Sequence, residues 1–123
     1  MRIIDAITKI DDLKHNTYSQ TDKIGWLSRL DFMVKQMIID THEGGEDMVF
    51  TGYGPDTDLS TQLLVPEPFD DVYLKWLEMQ IDYANGEIGR YNNSRELYNA
   101  AWNAYQNYYN RTHMPKGKSM RFF

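Results

Sequence analysis

Residues able to do chemistry are few and scattered in this chain. Its three histidines are His15, His42 and His113. No two of them stand at the i, i+4 spacing that puts a pair of imidazoles on one helix face for zinc. Asp56-Thr57-Asp58 has the start of a calcium loop, but the glycine and the distal bidentate glutamate are missing from their offsets. Gly117-Lys118-Ser119 has the end of a phosphate-binding loop. That loop needs a second glycine five residues earlier, where Thr112 stands, and a helix afterwards to point N–H groups at the anion. Asp70 and Asp71 are a carboxylate pair, and helix capping explains them without acid–base work. With no cysteine there is no thiol nucleophile, thiolate metal site or disulfide. The expectation is a non-enzymatic protein with no catalytic residue, no metal and no cofactor.

The elements that must carry these residues read as mainly α, about four helices. At 123 residues the chain fits a single helical domain over 1–115, followed by a basic tail at 116–123. Residues 3–14 form a short amphipathic helix with Ile3, Ile7 and Ile10 on one side. Ser19 is an N-cap with Asp22 three residues on, and the helix behind it runs from about Gln20 to Thr41. Met48–Phe50 and Leu59–Val65 are β-like runs separated by Gly52, Gly54 and Pro55. They predict a small irregular hairpin between the second and third helices. Asp70 caps a third helix, Asp71 to Asn85, which Gly86 and Gly89 stop. Asn92 or Asn93 caps a fourth, which ends near Arg111 ahead of Pro115. Its inward stripe is Leu97, Ala101, Ala104, Tyr105 and Tyr108, broadened by Tyr98, Trp102 and Tyr109.

Charge is segregated. The formal net charge is −5 from 13 basic and 18 acidic residues. Arg111, Lys116, Lys118 and Arg121 stand in residues 111–123 with no acid, so that stretch is +4. The remaining nine bases against 18 acids leave the body at −9. No Lys or Arg lies between Lys35 and Lys75, a stretch that holds Glu43, Glu46, Asp47, Asp56 and Asp58. An acidic body repels phosphate, which argues against a general DNA-binding surface. It offers the basic tail of another copy an opposite-sign surface, with Phe122 and Phe123 as apolar anchors. Of the 17 aromatic residues, nine of them Tyr, an aromatic-rich core accounts for about half; the rest suit a protein–protein interface or, with only Arg95 and Arg111 as basic company on the fourth helix, less readily base stacking on a nucleic acid. No apolar run approaches the ~20 residues that span a bilayer, and the acidic start MRIIDAITKIDDLK is not a secretory signal.

Three blocks together carry a resemblance: Asn16-Thr-Tyr-Ser-Gln-Thr-Asp-Lys-Ile-Gly-Trp-Leu-Ser-Arg-Leu-Asp31, Leu63-Leu-Val-Pro-Glu-Pro-Phe-Asp-Asp-Val-Tyr-Leu74 and Ile81-Asp-Tyr-Ala-Asn-Gly-Glu-Ile-Gly-Arg-Tyr-Asn-Asn93. Over about residues 5–115 the chain resembles a family of small structural proteins from tailed phages and prophages of Gram-positive bacteria. It is similar in size and helical make-up to head–tail connector (adaptor, or head-completion) proteins. The resemblance implies a virion assembly protein whose partners are further copies of itself in a ring and the phage portal or neck and tail proteins. DNA would pass nearby without being specifically bound, and no membrane would be involved. The protein would be in the bacterial host cytoplasm during assembly and then in the virion. Of the motif residues, Trp26, Leu27 and Asp31 read as structural. Pro66 sets the entry of the third helix, and Tyr91, Asn92 and Asn93 fix the turn into the fourth. Another phage morphogenesis or tail-associated protein, a prophage nucleic-acid-binding regulator and a metal-dependent hydrolase are the alternatives.

Overall fold

A computed structural model describes residues 1–45 and 48–115. The protein is mainly helical: α1 Ile3–Leu13, α2 Gln20–Met37, a 3-10 turn Ile39–Thr41, α3 Val72–Ala84 and α4 Ile88–Thr112. α4 packs along α3, and α3 packs in turn on α1 and α2. None of the described helices is long and apolar enough to cross a membrane.

α1 buries Ile3, Ala6, Ile7 and Ile10, the i, i+3, i+4, i+7 set of one helix face. At its start Asp5 accepts from the Arg2 backbone N–H at 3.0 Å and from the Arg2 guanidinium. Those bonds hold the Asp5 carboxyl down at about 2. α2 begins where the sequence predicts, with Ser19 Oγ accepting the Asp22 N–H at 3.1 Å. It buries Ile24, Leu27, Leu30 and Val34.

The α-helical part of α2 ends earlier than expected, at Met37 rather than Thr41. The Ile38 carbonyl is the reason. In a continuing helix it would accept the His42 N–H. Instead it accepts Thr41 Oγ1 at 2.8 Å and His42 Nδ1 at 2.6 Å, while the His42 N–H turns to the Ile39 carbonyl at 3.2 Å. Side-chain donors displace the regular bond and tighten the last turn. Ile38, Ile39 and His42 are then all buried.

The predicted hairpin is not formed, and no sheet exists among the described residues. The only bridges there are isolated, Arg2 with Gln62 and His42 with Pro115. The run at 59–65 pairs with the start of α1: the Ile3 and Ile4 N–H groups donate to the Thr61 and Leu59 carbonyls, both at 3.0 Å, and the Leu63 N–H to the Met1 carbonyl at 2.9 Å. The first-turn N–H groups of a helix have no partner inside it, and this run supplies acceptors for two of them. Met48–Phe50 takes no part. Phe50 instead stacks edge-on against Phe32 and Tyr53, at 4.9 and 5.0 Å between ring centroids.

The turn into α4 also differs. Gly86, at φ +73°, ends α3: its N–H donates to the Tyr83 carbonyl and the Glu87 N–H to the Asp82 carbonyl. This double closure with a left-handed glycine is a Schellman motif. The chain re-enters helix at once at Ile88, so Gly89 and Tyr91-Asn92-Asn93 lie inside α4, and neither asparagine caps it. Likewise α3 starts at Val72 with Asp71, not Asp70, at the N-cap and no side-chain cap bond.

A polar node ties α2, α3 and the intervening loop together. Asp31 is fully buried. It accepts from the Tyr73 hydroxyl at 2.7 Å, the Leu64 N–H at 3.1 Å and the Tyr53 hydroxyl. Tyr73 Oη in turn accepts the Val65 N–H at 2.7 Å. A second buried carboxylate, Asp82 on α3, pairs with Lys14 at 2.8 Å and accepts from Ser94 Oγ of α4. The Asp31 node is thus fully hydrogen-bonded, whereas Asp82 Oδ1 has the Lys14 ion pair but no hydrogen bond among the described residues.

Candidate interaction surface

Two apolar surfaces stand at opposite ends of α4. The first is the tip of the α3–α4 hairpin. Tyr83 and Ile88 there are 70% and 74% exposed, unusually open for large apolar side chains set side by side. With Gly86, Tyr91 and Asn92 they line a mostly apolar groove of about 320 Å³. The Tyr83 and Tyr91 rings lie 5.5 Å apart, and the Arg95 guanidinium sits 5.9 Å over Tyr91. The Schellman turn at Gly86 is what brings Tyr83 and Ile88 to the same end.

The second is a groove of about 310 Å³ at the other end of α4, lined by Ile39, Met48, Leu64, Tyr105, Tyr108 and Tyr109, with His113 beside them. Here the aromatic rings are ordered by stacking. His113 lies parallel on Tyr109 at 3.7 Å, His42 meets Tyr109 edge-on at 4.8 Å, and Phe69 packs on Tyr108 at 4.7 Å. The chain leaving α4 is held at this groove: the Glu43 N–H donates to the Met114 carbonyl at 2.8 Å, and Pro115 bridges His42. Burial pushes the phenols of Tyr105 and Tyr109 above the ordinary tyrosine range. A larger recess of about 470 Å³ lies between the start of α1 and residues 62–70. It is polar, and Arg2 and Asp5 on its wall already pair with each other.

The sequence-predicted residues fall in several places. Leu27 is fully buried. Trp26 is half-buried, stacks edge-on to Tyr18 at 5.6 Å, and offers its carbonyl to Trp76 Nε1 at 2.7 Å. Asp31 is the buried node. Pro66 is exposed on the rim of the aromatic groove, and its carbonyl accepts the Phe69 N–H at 2.9 Å. Tyr91 belongs to the tip, and Asn92 and Asn93 are exposed on α4. Glu43, Asp56 and Asp58 are exposed, but they hang on different elements. Glu43 lies beside the C-terminal end of α4, whereas Asp56 and Asp58 sit in the loop just ahead of the run that pairs with the start of α1. Asp58 is used locally, accepting from the Ser60 N–H and hydroxyl, which lower its carboxyl below the usual range. Arg111 is exposed on α4. Glu46, Asp47, Lys116, Lys118, Arg121, Phe122 and Phe123 lie outside the described residues.

The sequence points to Tyr105, Tyr108 and Tyr109 through the aromatic excess of the fourth helix and to Tyr91 as a turn residue, but not to Tyr83 and Ile88 as a surface. Tyr83 and Ile88 flank the Asn85-Gly86-Glu87 stop signal, and that adjacency was the available sign. Among the described residues, no group of three or more His, Cys, Asp or Glu side chains is placed to hold a metal ion. No protein-family model, curated protein or solved structure matches the chain.

Proposed function

We propose that this chain is a non-enzymatic assembly protein of a tailed phage or prophage, acting at the head–tail junction as a connector or adaptor that forms or joins a ring beneath the portal. The observation that carries the reading is the pair of unlike apolar surfaces at opposite ends of α4, one a protruding tip and the other an aromatic groove. A closed ring needs a heterologous contact, in which one patch meets a different patch on the next copy. The resemblance of the three sequence blocks supplies the biological setting, and the aromatic richness suits a surface that is buried on assembly.

Charge supports the same reading. A body at −9 lets DNA pass without gripping its phosphates, and the +4 stretch at 111–123 offers a neighbour's acidic loops an opposite sign. In this reading the partners are further copies and the portal, neck or tail proteins, and the protein works in the host cytoplasm during assembly and then in the virion. The same acidic surface disfavours a nucleic-acid-binding regulator.

Removing residues 116–123 tests the role of the basic segment. Circular dichroism and melting should be nearly unchanged, because a segment this short and this rich in glycine and lysine does not form a core of its own. Self-association at high protein concentration, followed by light scattering or mass photometry, should weaken. Unfolding on deletion would overturn the assignment of that segment to an interface.

A further inference from the structure

We infer that the α3–α4 tip of one copy seats in the aromatic groove of a second copy, giving a head-to-tail contact; this rests on the assembly reading and names its interface. Tip and groove lie on one helix. From Tyr91 to Tyr108 the α-helical rise of ~1.5 Å per residue puts them about 25 Å apart, so a molecule cannot fill its own groove with its own tip. Among the described residues, each copy therefore carries one knob and one socket that do not meet each other.

Their chemistry is complementary. The knob presents Tyr83, Ile88 and Tyr91, and the socket presents Met48 and Leu64 with the half-buried rings of Tyr108 and Tyr109 over a floor formed by the buried Tyr105. Offset and edge-on aromatic pairs of the kind already present within each patch can form between them. The charges at the margins are opposite. Arg95, one helical turn beyond Tyr91, is exposed and makes no ion pair among the described residues. Glu43 and Glu67 are exposed next to groove residues Gly44 and Pro66, and neither makes an ion pair there. Of the cations near the groove, Lys35 donates to the Gly45 carbonyl at 3.3 Å and is neutralised by its ion pair with Asp40, and Arg111 flanks Tyr108 one turn on, so Glu43 and Glu67, unpaired among the described residues, stand on the remaining margin. A contact between two different patches repeats from copy to copy, and it closes or extends according to its angle.

The test is a mixing experiment on the full chain. Ile88→Asp spoils the knob and Met48→Asp spoils the socket. Both side chains are exposed, so circular dichroism and melting should match the wild type. In sedimentation velocity the wild type should self-associate as concentration rises, and each variant alone should associate about 30-fold more weakly, the factor of a single strong interface residue. An equimolar mixture should form a one-to-one heterodimer and stop there, because it retains one good knob and one good socket. Arg95→Glu should weaken wild-type association without altering melting. A mixture that stays monomeric, variants that associate as the wild type does, or a wild type that stays monomeric throughout would each overturn the contact. The head–tail reading would survive any of these, since it is decided by particle morphology and not by the interface used.

Discussion

Replacing Asp31 by Ala should cost about 4 kcal/mol of unfolding free energy, since one buried donor and two half-buried ones lose their acceptor at roughly 1–3 kcal/mol each. The side chain is fully buried and takes the hydroxyls of Tyr53 and Tyr73 and the Leu64 N–H. Against a typical total of about 5–15 kcal/mol this is a large share, and urea unfolding would measure it. Asp31→Asn should cost less, since one carbonyl oxygen remains. Burial raises the Asp31 carboxyl above the ordinary range, outweighing the bonds from Tyr53, Tyr73 and Leu64 that pull it down. A pKa higher in the folded state means that the folded protein holds the proton more tightly. The stability from this group is therefore complete below the ordinary carboxylate range and is lost as pH rises through the raised value. The wild type should exceed Asp31→Asn by the widest margin at low pH, with the margin shrinking as Asp31 ionises. A margin that widens with pH would contradict this.

Leu27→Ala should cost about 3 kcal/mol and lower the melting temperature by roughly 10 °C. Leu27 has no solvent exposure and sits mid-α2 in the same core as Ile24, Leu30 and Val34. Truncation removes its apolar burial and leaves a cavity that rigid helices close only in part. Its neighbour Trp26 provides the contrast. There the tertiary bond is made by the backbone carbonyl, which accepts Trp76 Nε1 whatever side chain stands at 26. Trp26→Leu keeps that bond and much of the half-buried packing, so its cost should stay below about 1.5 kcal/mol. Equal losses at the two positions would mean that the side chain of Trp26, and not its backbone, joins α2 to α3.

What the sequence reveals about this fold is what local chemistry decides. The cap at Ser19, the inward face of α1 and the stop at Gly86 involve residues at most a few positions apart, and the structure has all three. The misplaced start of α4 is also local. Asn92 and Asn93 suit a cap, but the Schellman turn uses only Asn85–Glu87 and leaves no spacer before the next helix, so the asparagines fall inside it. The inward face of α4 is set by its packing on α3 and differs from the expected stripe. Ser94, Tyr98 and Tyr105 are buried, while Leu97, expected on the inward stripe, is half exposed. The hairpin failed for a non-local reason: residues 59–63 find partners in the first turn of α1, some 60 positions away in sequence. Asp31 is similar. Its motif was visible, but Tyr53, Leu64 and Tyr73 lie too far along the chain for spacing to connect them. At the candidate surface, composition announced an excess of aromatics. Which of them stay uncovered depends on where α3 and α4 end relative to α1 and α2, and no periodicity encodes that.

Under the proposed function, disrupting the gene in its phage or prophage, with electron microscopy of the lysate, tests the assembly role most directly. A head–tail connector predicts DNA-filled heads beside free, complete tails, unjoined, with tailed particles restored when the protein is supplied from a plasmid. Normal tailed particles in its absence would contradict that role.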